Sequence, residues 1–336
     1  MAVTIKDVAR ESGVNVSTVS RALNGEYGVH ADTREHVVAI AQRLGYRPNR
    51  VARGLVTGRS HTLALVVSDI RNPFFAEVAR GAEDAACRAG YDLILCNSDL
   101  DPEKQMRYAQ SLMEKRVDGI LMNSVSALSR KQQEQLTALG VPIVLLNRTA
   151  ARSAFSTICA DNEAGGALAA AYLLKLGHRK IAHLTGPRHH GNMTERAKGF
   201  VNALEAAHKP VHPVVLHGKN NFQGGVELAQ KLLAQHPGIT AVFAASDMMA
   251  FGVIRALMEA GLQIPEDVSV MGFDNVELAG IVHPPLTTIH QPKYEIGQAA
   301  VEILLRLSGG GPHQNPEHRL FGVELVERQS CVERKA

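Results

Sequence analysis

An α/β protein, with doubly wound parallel sheets behind a small all-helical N-terminal head, is the fold class this sequence predicts. From Thr62 onward, apolar runs of strand length alternate with stretches of helical periodicity, the rhythm of parallel sheets covered by helices. Residues 1–58 lack that rhythm and hold short amphipathic helices broken at Gly13, Gly25 and Gly45. The excess positive charge sits in the same segment: residues 1–60 carry nine Lys or Arg against five Asp or Glu, while the whole chain is only +3. A basic head on a near-neutral body fits a chain that meets a polyanion at one end, and charge alone fits a solvated basic surface equally well.

The bulk composition narrows the class further. With 336 residues, 45% hydrophobic and 21% charged, the chain can build two or three folding units and is neither a disordered tail nor a disulfide scaffold. Cys87, Cys96, Cys159 and Cys331 show no C-x-x-C pairing, and no H-E-x-x-H occurs among the 15 histidines, so no metal site is expected. His189-His190 reads as a solvated loop. Met1-Ala2-Val3-Thr4-Ile5-Lys6-Asp7 has no apolar run, and no later segment approaches a membrane span, so a cytoplasmic protein without a membrane partner is expected.

In the head, Thr4 and Asp7 have the spacing of a capping box, and Ile5, Val8 and Ala9 form one apolar stripe. Asn15 can cap a second helix whose Val19 and Leu23 point inward while Val16, Ser17, Thr18, Ser20 and Arg21 face out. Two short helices around a tight Gly turn make a helix-turn-helix, whose second helix enters the major groove of DNA. Arg21 can pair with guanine or with phosphate, and the Ser17 and Thr18 hydroxyls can reach bases or backbone. A third helix is expected from about Asp32 to Leu44, with Val37, Ile40, Ala41 and Leu44 inward and with Asp32 and Glu35 supplying the cap. Asn49 can cap a further helix that is too short to be stable alone.

In the body, strands are expected at Leu63-Ala64-Leu65-Val66-Val67, residues 91–95, residues 119–122 and residues 142–146. A second set lies at residues 180–184, 211–216, 241–244 and 268–272, and all are read as buried and parallel. Two doubly wound sheets place a ligand crevice at the carboxyl ends of the strands. A nucleotide enzyme would show G-x-G-x-x-G after the first strand or a phosphate-binding G-x-x-x-x-G-K-[ST]; neither is present, nor is G-x-S-x-G, so no catalytic residues and no cofactor are expected. The loops after the strands hold Asn72-Pro73-Phe74-Phe75, Asn123, Asn147-Arg148, Phe273-Asp274 and Gln291. Phenyl rings can lie on the apolar face of a sugar while Asp, Asn, Gln and Arg grip its hydroxyls. Gly309-Gly310-Gly311-Pro312 reads as a turn before the last strand.

The runs Thr4-Ile5-Lys6-Asp7-Val8-Ala9, Ser17-Thr18-Val19-Ser20-Arg21-Ala22-Leu23-Asn24, Leu44-Gly45-Tyr46-Arg47-Pro48-Asn49 and Ala52-Arg53-Gly54-Leu55 resemble the head and hinge of the lactose repressor (LacI/GalR) family. His30 departs from the Ser that often caps the third helix there. The resemblance implies a double-stranded operator DNA partner contacted by Val16, Ser17, Thr18, Arg21, Asn24, Asn49, Ala52 and Leu55. Leu55 would be wedged into the minor groove. It also implies a homodimer, favoured over a tetramer because the chain ends at Arg334-Lys335-Ala336 without leucine heptads.

The remainder is similar to type I periplasmic sugar-binding proteins and to ribose and purine repressors. That resemblance implies a hinge-and-head domain over 1–58 and a two-lobed ligand domain over 60–330. The first lobe would span about 60–160 and 292–320, and the second about 161–290 and 321–330. Matching ligand contacts are Asn72, Phe74, Phe75, Asn123, Arg148, Arg196, Phe222, Ser246, Phe273, Asp274 and Gln291. Ribose binders carry Asp where this chain has Asn147, and two guanidinium groups, Arg148 and Arg196, suit a ligand carboxylate. The implied effector is therefore a monosaccharide, a pentose such as ribose or a sugar acid. Inducer and corepressor action both remain open at this point. A sugar-binding transport protein, the competing class, has no use for the helix-turn-helix.

Overall fold

The computed structural model describes residues 3–25, 27–47, 58–123, 128–147, 154–308 and 315–334. The chain divides into two compact units, Met1–Ser60 and His61–Ala336.

The head has three helices, α1 (Ile5–Ser12), α2 (Val16–Leu23) and α3 (Ala31–Arg43). At the start of α1 the Thr4 amide and hydroxyl donate to one Asp7 carboxylate oxygen at 3.0 and 2.7 Å. Gly13, at φ 69°, stops the helix in the left-handed region that a side chain would resist. Val8, Val19, Ala22, Val37, Ile40 and Ala41 close the core, with Leu23 only partly buried beside Ala22. The start of α3 corrects the sequence expectation: His30 occupies the cap position without a side-chain cap bond, and Asp32 is already inside the helix.

Asn15 starts α2, its Oδ1 accepting from the Thr18 amide at 2.8 Å and from the Ser17 and Thr18 hydroxyls at 2.7 and 2.8 Å. One acceptor thus satisfies a backbone group at the helix start and orients two candidate DNA contacts. Asn15→Ala is expected to destabilise the head by about 1 kcal/mol. Hydrogen exchange at the buried Val19 amide should quicken, while Asn15→Asp, which keeps an acceptor, should stay near wild type.

The body contains two six-stranded sheets. The first uses β1 (Thr62–Val67), β2 (Asp92–Asn97), β3 (Gly119–Asn123), β4 (Ile143–Leu146), β5 (Ser156–Ala160) and β11 (His318–Phe321), in the order β11-β5-β4-β3-β1-β2. The second uses β6 (Ile181–Thr185), β7 (Val214–His217), β8 (Ala241–Ala244), β9 (Ser269–Asp274), β10 (Thr287–His290) and β12 (Glu324–Val326), in the order β12-β10-β9-β8-β6-β7. The chain passes between lobes after β5, after β10 and between β11 and β12.

Three sequence expectations need correction. Residues 92–97 form a half-exposed strand because β2 is an edge. The strand placed at 211–216 begins at Val214 and is likewise an edge. The second sheet is not wholly parallel, since β12 runs antiparallel to β10 with Thr288 opposite Val326.

Three helix pairs cover the sheets at unusually close approach. They are α4 (Pro73–Arg88) with α11 (Lys293–Ser308), α7 (Asn162–Lys175) with α8 (Gly191–Glu205), and α9 (Phe222–Gln235) with α10 (Asp247–Glu259). Each pair meets at one glycine from either side. In α7 and α8, a Cβ on Gly166 would lie 2.1 Å from the Arg196 carbonyl oxygen, and one on Gly199 would lie 1.9 Å from that of Glu163. Backbone-to-backbone contact of this kind fixes the depth and rotation of α8, and so the place where Arg196 enters the interior. Among the described residues no helix is long and apolar enough to cross a membrane.

Candidate ligand-binding cleft and nucleic-acid interface

A cleft of about 340 Å³ lies between the two lobes, lined from both at the carboxyl ends of their strands. This placement follows from topology: parallel strands end together, so loops far apart in sequence converge on one rim. In the first lobe, Ser68 and Asp69 follow β1, Asn72, Phe74 and Phe75 open α4, Asn123 ends β3 and Asn147 follows β4. Asn72 caps α4 by accepting from the Phe74 amide at 3.0 Å, and the Phe74 and Phe75 rings meet edge to face at 5.1 Å. The amides form a relay in which Asn147 donates to Asn123 at 3.0 Å and Asn123 donates to Ser68 at 2.9 Å.

In the second lobe the wall is built around Asp274. Its Oδ1 accepts from the Gln291 amide at 2.6 Å, and its carbonyl accepts from Lys293 Nζ at 2.7 Å. Burial raises the Asp274 pKa to about 6, against the opposing pull of Arg196 and Lys293. Behind it lies Asp247, which accepts from the Val276 amide at 2.8 Å and the Thr288 hydroxyl at 2.5 Å. Burial, with the Asp274 charge adding to it, pushes Asp247 well above the usual carboxylate range. The two carboxyl groups therefore resist ionising together, and Asp274 is the one that lines the cleft.

Arg196 is 1% exposed and contributes to the cleft wall. Nη1 donates to the Ala245 carbonyl, Nη2 donates to Asn162 Oδ1 at 2.8 Å, and the guanidinium lies 3.3 Å from the Phe273 ring centre. Burial lowers its pKa to about 10, which leaves it cationic at neutral pH.

The cleft wall brings together Asn72, Phe74, Phe75, Asn123, Arg196, Phe222, Asp274 and Gln291 from the sequence-derived set. Phe273 is fully buried beneath Arg196 instead of on the wall. Ser246 caps α10 and donates to Asn220 at 2.6 Å, so it orients a wall residue from behind. Arg148 lies outside the described residues, as do Asn49, Ala52, Leu55 and the Gly309 to Pro312 turn.

The wall also contains residues that the sequence reading did not select, among them Ser68, Asp69, Arg71, Leu100, Asn192 and Asn220. Apart from Asn192, which opens α8, they sit on loops without periodicity, and only their position just after a strand could have flagged them. His190 corrects the solvated-loop reading: it lines the cleft, stands edge to face with His189 at 4.6 Å, and is held neutral by burial at a pKa of about 4.

On the head, α2 presents Val16, 41% exposed, at its start and Arg21 in its last turn. Ser17 is exposed between them, and Asn24 closes the helix through its backbone amide. Eight residues at 1.5 Å each give a rod about as long as the major groove is wide, so its exposed face can span the base edges.

Comparison with known proteins agrees with both halves. Residues 60–318 match the model of periplasmic binding proteins and the sugar binding domain of the LacI family, and residues 4–49 match that of bacterial regulatory proteins of the lacI family. The chain is 40% identical over 331 residues to the HTH-type transcriptional repressor PurR of Vibrio cholerae serotype O1, with 97% of each chain covered. It is 39% identical over 333 residues to the ribose operon repressor of Haemophilus influenzae, with 99% of each covered. The Lac repressor dimer bound to operator and the anti-inducer ONPF superposes at a TM-score of 0.87, with 30% identity over 99% of this chain and 100% of that one. A basic helix-turn-helix, a two-lobed cleft domain and similarity along the whole length lead to one conclusion: the chain belongs to the LacI family of bacterial DNA-binding transcriptional regulators, whose operator affinity is set by a small ligand.

Proposed function

We propose that this regulator is a cytoplasmic repressor without catalytic activity, that it binds a pseudopalindromic operator as a homodimer, and that its effector is a neutral monosaccharide, a pentose such as ribose. One short recognition helix reads too few bases for useful specificity, which two copies across a two-fold axis remedy. The dimeric Lac repressor neighbour supports that assembly. We extend the DNA-contacting set to Asn49, Ala52 and Leu55 on the strength of the head resemblance alone.

The effector class rests on the state of the cations at the cleft. Arg71 is paired with Asp69 at 2.9 Å, and both terminal nitrogens of Arg196 are engaged by Ala245 and Asn162. Among the described wall residues both guanidiniums are already engaged, only the buried Arg196 Nε lacking a partner, whereas side-chain amides, the Asp274 carboxylate and phenyl rings suit hydroxyls and a CH face. This favours the neutral pentose over the sugar acid. The ribose operon repressor among the relatives supports the same choice.

Calorimetric titration of the full chain with ribose, other pentoses, ribonate and a purine base tests it. Heat is expected with a pentose and not with ribonate. Binding of the purine base with no heat from any sugar would overturn the assignment, and a monomer by light scattering at micromolar concentration would overturn the dimer.

A further inference from the structure

Between β2 and the helix Pro102–Glu114, two consecutive non-glycine residues, Asp99 and Leu100, stand in the left-handed region at φ 53° and 60°. That backbone disfavours side chains, most of all a bulky one, and it persists only where the surroundings over-determine it. They do so here. Ser98 donates to the Val67 carbonyl at 2.9 Å, Leu100 to that of Ser68 at 2.8 Å, and Asp101 to that of Ser98 at 2.9 Å. The Asp99 carboxylate is held by the Asn97 side-chain amide at 2.6 Å and by Lys104, and Asp101 accepts from the Glu103 amide at 2.8 Å.

The forced bend delivers the Leu100 side chain to the cleft wall, where it is 37% exposed. It packs into none of the hydrophobic cores of the body. Glycine would adopt this backbone freely, so an isobutyl group is carried against a conformational penalty and without a core to fill. Ser68, whose carbonyl accepts from the Leu100 amide, is polar, as are Asp69 and Arg71 on the same cleft wall.

We infer that Leu100 is a specificity-determining residue of the effector site. It places an apolar wall against the CH edge of a single bound sugar ring and blocks the path along which a second ring would extend. This rests on the reading of the cleft as a sugar site.

The test uses the full chain as wild type, Leu100→Gly and Leu100→Ala, titrated with ribose and with the disaccharide cellobiose, together with thermal unfolding without ligand. Leu100→Gly should raise the unfolding midpoint by about 2 °C, because the backbone penalty is removed. The same variant should weaken ribose by about ten-fold or more and shift the ribose-to-cellobiose ratio toward cellobiose by a similar factor. Leu100→Ala keeps a Cβ on left-handed backbone, so it should weaken ribose without the gain in midpoint. If wild type binds ribose and both variants bind it within two-fold, Leu100 has no such role and the sugar reading stands. A wild type that binds neither saccharide overturns the sugar reading and this inference together.

Discussion

Arg196→Met is expected to lower stability by about 1–3 kcal/mol for each buried acceptor it leaves unpaired and to eliminate effector binding. Methionine keeps most of the unbranched stem, so the loss is chiefly electrostatic. The substitution leaves Asn162 Oδ1 and the Ala245 carbonyl without their donor and removes the cation that opposes the raised pKa of Asp274. Uncompensated polar groups in a fully buried site bear their full desolvation penalty. A urea-unfolding free energy within about 1 kcal/mol of wild type would show that the Arg196 network contributes little.

The same network sets a pH dependence. The folded-state pKa of Asp274 is raised, to about 6, above its ordinary value of 3.8, so the fold holds the proton more tightly than the unfolded chain does. Ionisation at this site therefore works against stability as pH rises from 3.8 through about 6, and protonation relieves it. In the proposed sugar complex hydroxyls would donate to the ionised carboxylate, so effector affinity should fall as pH drops below about 6. In Asp274→Asn that pH dependence should disappear along with most of the affinity. An affinity that is flat in pH in the wild type would remove Asp274 from direct contact with the ligand.

Arg21→Ala is expected to weaken operator binding by about 1–3 kcal/mol and to relax specificity at one position of each half-site. In a dimer both half-sites lose the contact, so the observed effect should approach twice that of one protomer. The reason lies in placement: Arg21 is exposed in the last turn of α2, on the helix whose start presents Val16 and Ser17. A guanidinium that forks onto the guanine edge discriminates between bases, whereas one on phosphate does not. Competition binding on singly substituted operators at fixed salt separates the two. An equal loss on every sequence, with a salt slope reduced by about one, would make Arg21 a phosphate contact.

Much of this organisation is readable from local chemistry. Thr4 and Asp7 announce α1, Asn15 announces α2, and the apolar runs at Leu63, Ile120, Ile143 and Val242 announce central strands, because capping and burial on both faces each leave a mark within a few residues. Asn72, Asn123, Asp274 and Gln291 could be placed at one site for a related reason: parallel topology gathers all strand ends on one rim, so a polar residue at or just after a strand end is a candidate.

What only the tertiary structure decided depends on partners distant in sequence. The same apolar content serves at the sheet edge in β2 and β7 as in the centre, and nothing within those runs says which neighbour is absent. The antiparallel β12 is set by a chain reversal between the lobes, beyond the reach of a strand pattern. Arg196 reads as a free cation in sequence and becomes a buried strut because Gly166 and Gly199 let two helices close on it and Phe273, Asn162 and Ala245 receive it. Leu100 carries no mark in the sequence, and it turns into the cleft because the Ser98 and Leu100 amides donate to the Val67 and Ser68 carbonyls and hold the backbone in the left-handed region. Caps and periodicities are interactions between neighbours in the chain, so the sequence carries them by itself. The fate of a charge or a side-chain direction is settled by long-range packing and desolvation, which exist only once the fold has formed.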